Sequence, residues 1–342
     1  MRYGRFLKEG GTIGFLAPSF GCNIEPYLSG FNRAQEVFSA QGYSLVFGPN
    51  VYEGSGIGIS SSPENCGQEF MDSYTDPESH VLISCGGGEL MCEILDHVDF
   101  KEIAAAEPKW FMGYSDNTNL TFLLATLCDT ASVYGPCAAT FGMKPWHDNL
   151  HAAMGLLTGK IRKVHGYDFW EKESLKDEEH PCVPYNLTEP KILTYYPEGQ
   201  KEVTMAGRLL GGCLDTLVTL DGTKYDKTAD FAERYKEDGI LWFLEACDLT
   251  VFGIRRALWQ LSHSGWFRYT KGFIFGRPYN GDSLFGLDRF RAVTDILADY
   301  EVPIIMDADI GHLPPMMPLV CGSYATVRAA GNDISVEMEF KE

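Results

Sequence analysis

A serine delivered where an apolar strand gives way to a helix is well placed to act as a nucleophile, and GYSDNTNL at residues 113–120 has that form. There the hydroxyl of Ser115 stands above the sheet edge. The amide of Asp116, at the helix N-terminus, can donate to an oxyanion. Asn117 takes the place of the second glycine of G-x-S-x-G, so the pattern is half matched. The competing reading makes Ser115 or Asp116 a plain helix cap. A second segment, SCGGGEL, ends a strand with Gly86, Gly87 and Gly88, whose amides suit an oxyanion or a phosphate; its plainer reading is a tight turn. It is not a GxGxxG and the chain has no Walker A sequence, which weakens nucleotide-phosphate readings. Cys85 reads as a buried small hydrophobe rather than a nucleophile.

A serine nucleophile needs a base. Of the eight histidines, His80, His97, His147, His151 and His263 lie in polar or helical, surface-like stretches. His165 and His180 flank an acidic loop without compact ligand spacing, so no metal site is expected. His312 differs, because it follows VPIIMDADIG and precedes Leu313, Pro314 and Pro315, a loop at a strand end. Glu245 closes the apolar run ILWFL, and an acid there is either paired or functional. Asp248 is its rival, and Asp307 and Asp309 read as structural acids near His312. The order Ser115, Glu245, His312 is that of the elbow-type hydrolases.

The elements that must position these residues alternate short apolar runs with amphipathic stretches, the pattern of a sheet covered by helices. Strands are expected at TIGFLAP, YSLVFGPNV, VLISCGGG and KWFMGYS, and helices at ELMCEILDHV and NTNLTFLLATLC. A helix through PYLSGFNRAQEVFSAQG sets Tyr27, Leu28, Phe31, Ala34, Val37 and Phe38 on one face. Residues 1–165 therefore read as an open parallel sheet carrying the nucleophile elbow. Residues 166–202, rich in proline and acid, read as a linker or loop. Residues 203–342 read as a smaller α/β domain supplying Glu245 and His312.

Composition narrows the partners. The chain has 342 residues, 28 Lys and Arg against 47 Asp and Glu, and a formal charge of −19. Such a field repels polyphosphates and anionic lipid, so neither nucleic acid nor membrane is expected as a partner. A small anion is not excluded, since one local cation outweighs a distant, screened field. The N-terminus lacks a sustained apolar run and the ten cysteines include no CxxC, which together point to reduced, mostly buried thiols in a cytoplasm.

Taken in order, Ala17-Pro18-Ser19, the Gly86-Gly87 turn, PKWFMGYSDNTNL, LLGGCLDTL, FLEACD, RRALWQL and DADIGH resemble the blocks of one family nearly end to end. It is the LD-carboxypeptidase serine peptidases, which include muramoyltetrapeptide carboxypeptidases and microcin C immunity peptidases. The resemblance implies an N-terminal Rossmann-like, amidotransferase-like sheet, a C-terminal domain, a homodimer, and no metal or cofactor. It further implies a catalytic triad of Ser115, Glu245 and His312, with the backbone amides of Gly87 and Asp116 as oxyanion donors. The implied substrate is a small peptide with an L,D amide bond, such as murein tetrapeptide with its terminal D-alanine, or alternatively a peptidyl or aminoacyl nucleotide. A catalytically silent binding module is the third reading. The chain departs from the family at Cys85, Gly88 and Ala246, on the active-site rim, and these departures bear on substrate choice. Candidate substrate contacts are Gly86 and Gly88, with Arg208, Arg255 and Arg256 for a terminal carboxylate. Trp170, Tyr185, Tyr195 and Tyr196 are candidates to cover the cleft.

Overall fold

The apolar run at residues 12–16 forms the strand Thr12–Leu16, buried from Ile13 onward. In this computed structural model, which describes residues 1–341, it lies within a six-stranded sheet. The order is Leu319–Cys321, Ser132–Tyr134, Trp110–Gly113, Val81–Ser84, Thr12–Leu16, Ser44–Phe47. Five of these are parallel, and Leu319–Cys321 pairs antiparallel with Ser132–Tyr134. The strand order reverses between Thr12–Leu16 and Val81–Ser84, so the loops leaving their carboxyl ends diverge and open a crevice there. The glycine turn lies on that edge, and the serine elbow follows from the neighbouring strand Trp110–Gly113.

Local chemistry starts the helices where the sequence suggests. Ser62 accepts from the amide of Asn65 ahead of Pro63–Thr75, Thr250 from Gly253 ahead of Val251–His263, and Asp288 from Arg291 ahead of Arg289–Leu297. The helix Tyr27–Ala40 buries Gly30, Phe31, Ala34 and Phe38, but Tyr27, expected on that face, is 51% exposed. ELMCEILDHV forms a 3₁₀ turn, Met91–His97, rather than an α-helix; the Met91 amide is taken by the Asp116 carboxylate. Thr118–Cys128 is buried on nearly every side, its polar residues Thr118, Asn119, Thr121 and Thr126 included. It has the second half of the chain packed on it, with Phe122 stacked flat on Trp266 at 5.1 Å between centroids.

The second sheet has eight strands: Lys163–His165, Asp333–Glu339, Tyr324–Ala330, Glu202–Cys213, Ile240–Glu245, Thr270–Gly276, Ile304–Ala308, Thr194–Tyr196. Its centre, from Glu202–Cys213 to Ile304–Ala308, is parallel, and its flanks are antiparallel. The strands cross the expected boundaries. Lys163–His165 belongs to this second sheet, and Leu319–Cys321 closes the first. Residues 166–202, read as a loop, contain the hairpin of Phe169–Glu171 with Leu187–Pro190 and the edge strand Thr194–Tyr196. Pro190 and Pro197 sit at the ends of these short strands, where a missing N–H is tolerated. Among the described residues no helix is long and apolar enough to cross a membrane.

Candidate active site

Ser115 leaves the strand Trp110–Gly113 at φ +63°, a left-handed conformation that costs a non-glycine residue ~1–3 kcal/mol. Its hydroxyl is engaged by His312, and the helix Thr118–Cys128 has no side-chain cap, against the capping alternative. His312 Nε2 lies 2.8 Å from Ser115 Oγ, and His312 Nδ1 lies 2.9 Å from Glu245 Oε2. Ser115 comes from the first sheet, Glu245 ends the central strand of the second, and His312 follows Ile304–Ala308. The imidazole approaches because Gly311 has no side chain. At φ +101° it lies so near Glu245 that an added Cβ would meet Oε2 at 2.5 Å.

The glycine turn stands directly over the serine. A Cβ on Gly87 would lie 3.2 Å from Ser115 Oγ, and one on Gly88 would strike Ser19 Oγ and the Gly58 carbonyl, at 2.1 and 2.8 Å. Gly88 therefore admits no side chain. Asn117 ties the two loops together, donating to the carbonyls of Gly86 at 2.8 Å and Tyr114 at 3.1 Å. That is the role of the residue that breaks the G-x-S-x-G pattern. The Asp116 carboxylate turns inward and accepts from Ser19 Oγ, the Met91 amide and Asn119 Nδ2 at 2.7, 2.9 and 3.1 Å.

Burial alone would raise the Glu245 carboxyl, yet the charge and hydrogen bond of His312, with a further bond from Tyr134, hold it below its ordinary value. Burial disfavours charge on His312, but the Glu245 carboxylate more than offsets this and holds the imidazole well above 6.5. Burial pushes Asp116 up to about 6 and the Cys85 thiol well above its ordinary value, the latter consistent with a buried, unreactive sulfur. Asp248 is exposed, whereas Glu245 is fully buried. Asp309 is also buried, 2.7 Å from Arg277 and 3.7 Å from Lys191, and Asp307 pairs with Arg289 at 2.6 Å. Both brace the loop that carries His312.

A cavity of about 150 Å³ opens beside His312, lined in part by Tyr27, Tyr114, Glu171, Lys176 and Tyr185. Tyr185 lines this cavity. Arg208 does not: it is 1% exposed, paired with Asp238 at 2.8 Å and bonded to the carbonyls of Gly322 and Lys341, so it fastens strands together. Arg255 pairs with Asp295 on the outer helices, and Arg256 is exposed. Trp170 does not line the cavity; it stacks on the Arg277 guanidinium, 5.0 Å from its ring centroid, and donates to the Pro190 carbonyl. Tyr195 bonds the Gly331 carbonyl. His147, expected on the surface, is half-buried and caps the helix Asp148–Leu157.

Three contributors escaped sequence reasoning. Tyr134 bonds both Glu245 and the Ser115 amide. Asp215 accepts from the amides of Cys247, Asp248 and Leu249 and so shapes the turn after Glu245. Lys176 lies in an exposed-looking acidic run that gave no signal.

Residues 13–135 match the LD-carboxypeptidase N-terminal domain and residues 206–327 its C-terminal domain. A Vibrio cholerae protein with a provisional carboxypeptidase name is 27% identical over 337 residues, 96% of this chain and 95% of that one. The microcin C7 self-immunity protein MccF of Escherichia coli is 24% identical over 341 residues, 98% of this chain and 95% of that one. A structure of MccF with aspartyl sulfamoyl adenosine superposes with a TM-score of 0.80, at 22% identity and 99% coverage of both chains. The muramoyltetrapeptide carboxypeptidase of Oxalobacter formigenes gives 0.68 at 19% identity, covering 96% of this chain and 98% of that one. With both family domains matched in order on the two halves that meet at Ser115 and His312, the chain belongs to the LD-carboxypeptidase family of serine peptidases.

Proposed function

We propose that the protein hydrolyses the L,D amide bond of murein tetrapeptide and releases the terminal D-alanine, with Ser115, His312 and Glu245 as its catalytic triad. The observation that carries this reading is the unbroken chain of contacts from Ser115 Oγ through His312 to Glu245, at 2.8 and 2.9 Å, beside a small cavity. In this mechanism neutral His312, donating from Nδ1 to Glu245, accepts the Ser115 proton at Nε2 while Oγ attacks the carbonyl carbon. The backbone amides of Gly87 and Asp116 hold the resulting oxyanion, each worth on the order of 10²–10³ in rate. His312 then passes its proton to the leaving amine, and water, activated by the same imidazole, releases the acyl group from Ser115. Tyr134, Asn117 and Asp215 position these groups without touching the substrate.

A second reading is hydrolysis of a peptidyl or aminoacyl nucleotide, favoured by the similarity to the microcin C7 self-immunity protein along 98% of this chain. One experiment separates the two. Purified protein is offered murein tetrapeptide and an aminoacyl sulfamoyl-adenylate, with Ser115→Ala as control, and products are identified by mass. Release of D-alanine by the parent alone supports the first reading. Cleavage of the adenylate alone supports the second, and turnover of neither leaves a silent binding module.

A further inference from the structure

An enzyme that trims a chain end must hold an anion, and this protein carries a formal charge of −19. The arginines the sequence offers for that task are engaged elsewhere or exposed on an outer helix: Arg208 with Asp238, Arg255 with Asp295, Arg256 on the surface. Among the described residues lining the cavity beside His312, Lys176 is the one lysine or arginine. Its ammonium rests on the ring of Tyr27, 5.3 Å from the centroid, rather than on a carboxylate. Glu171 lines the same cavity but turns its carboxylate back to the amide of Asn186, at 2.5 Å. Burial lowers the Lys176 ammonium below its ordinary value, and the charge of Glu171, held to Asn186, offsets this only in part. The rest of the wall combines apolar side chains such as Met143 and Met316 with neutral hydroxyls such as Thr140 and Ser174, so Lys176 is its one ammonium.

We propose that Lys176 binds the anionic group of the substrate on the leaving side of the scissile bond, with Tyr27 steadying its ammonium. This rests on reading Ser115 and His312 as the reacting pair. The shared chemistry is an anionic oxygen group, supplied by the terminal carboxylate of a peptide or by the sulfamate of an aminoacyl nucleotide.

The test separates Lys176 from that reading by measuring binding without turnover. Ser115→Ala and Ser115→Ala/Lys176→Met are titrated with murein tetrapeptide, with its C-terminal carboxamide, and with an aminoacyl sulfamoyl-adenylate. The expected result is that Lys176→Met weakens an anionic ligand on the order of 10-fold or more, spares the carboxamide, and is partly rescued by Lys176→Arg. Selective loss of the tetrapeptide assigns the carboxylate, and selective loss of the adenylate assigns the sulfamate. Equal weakening of acid and carboxamide, no weakening at all, or no binding of either anion overturns the proposal. In the parent background the loss should fall on KM. Absence of turnover there would sink the proposed activity while the binding comparison still decides on Lys176.

Discussion

The hydroxyl of Tyr134 donates to Glu245 Oε1 across 2.6 Å and accepts from the Ser115 amide at 3.2 Å, so one side chain of the first sheet fixes both ends of the contact chain. Tyr134 ends a strand of the first sheet and Glu245 ends one of the second, which makes this bond a tie between the two halves. It also supplies a buried carboxylate with a donor besides His312. Tyr134→Phe should cost about 1.5–3 kcal/mol of support for the charged Glu245, hence a roughly 10- to 100-fold drop in kcat/KM with a lowered Tm. Steady-state kinetics and thermal melts check this; unchanged kcat/KM would remove Tyr134 from the site's support.

Ser115→Ala should lose on the order of 10³-fold or more in kcat while melting like the parent. The strained φ of +63° is the same cost for either residue, and the lost atom bonds His312 rather than the fold's backbone. A variant that keeps full hydrolysis would end the assignment of Ser115 as nucleophile.

The pH profile should follow His312. Only neutral imidazole accepts the serine proton, and Glu245 holds the imidazole well above 6.5, so kcat/KM should climb on the alkaline side of that value. Glu245→Gln removes the charge that supports the imidazolium. Its acid limb should move to lower pH while kcat falls on the order of 10³-fold or more. The pair's stabilising effect has a sign as well: the raised His312 value contributes in full below pH ~6.5 and fades as pH rises through the folded value, while the lowered Glu245 value contributes stability that fades as pH falls through its own folded value. Rate profiles of both proteins check this, and coincident acid limbs would exclude Glu245 as the partner that sets His312.

What the sequence made legible, and what it did not, follows from range. The elbow at Ser115, the glycine turn and Glu245 are each marked by a local change, apolar strand to polar residue, that needs no knowledge of the partner. The helix Thr118–Cys128 was equally plain, because its run Leu120, Phe122, Leu123, Leu124 and Ala125 is too apolar for a surface element. Arg208 misled because a buried, paired arginine and a substrate-binding one look alike until Asp238 is seen beside it. Trp170 misled in the same way, its partner Arg277 lying far along the chain. Tyr134 gave no sign, since a tyrosine at a strand end is ordinary and its function comes from Glu245, distant in sequence. Lys163–His165 and Leu319–Cys321 crossed the expected boundaries because three-residue edge strands carry too little periodicity to declare their sheet.

Glu69 makes the last prediction. It is 2% exposed, lies on the helix Pro63–Thr75, and accepts from the amides of Ala17 and Asn50, each at 3.0 Å. It thereby holds the segment leading to Ser19, which bonds Asp116 beside the serine. Burial pushes Glu69 from 4.5 up to about 7, and Asp116 from 3.8 up to about 6. Both shifts are upward, so their contribution to stability is full below the unfolded values and is lost as pH rises through the folded ones. At ~1.4 kcal/mol per pKa unit, Glu69 alone accounts for up to about 3 kcal/mol between pH 4.5 and 7.5. Urea unfolding should therefore show a higher midpoint at pH 5 than at pH 7.5. Glu69→Gln, neutral throughout, should remove the Glu69 share of that slope and leave the part due to Asp116 and His312, and a slope unchanged by Glu69→Gln would show that the proton is taken up elsewhere.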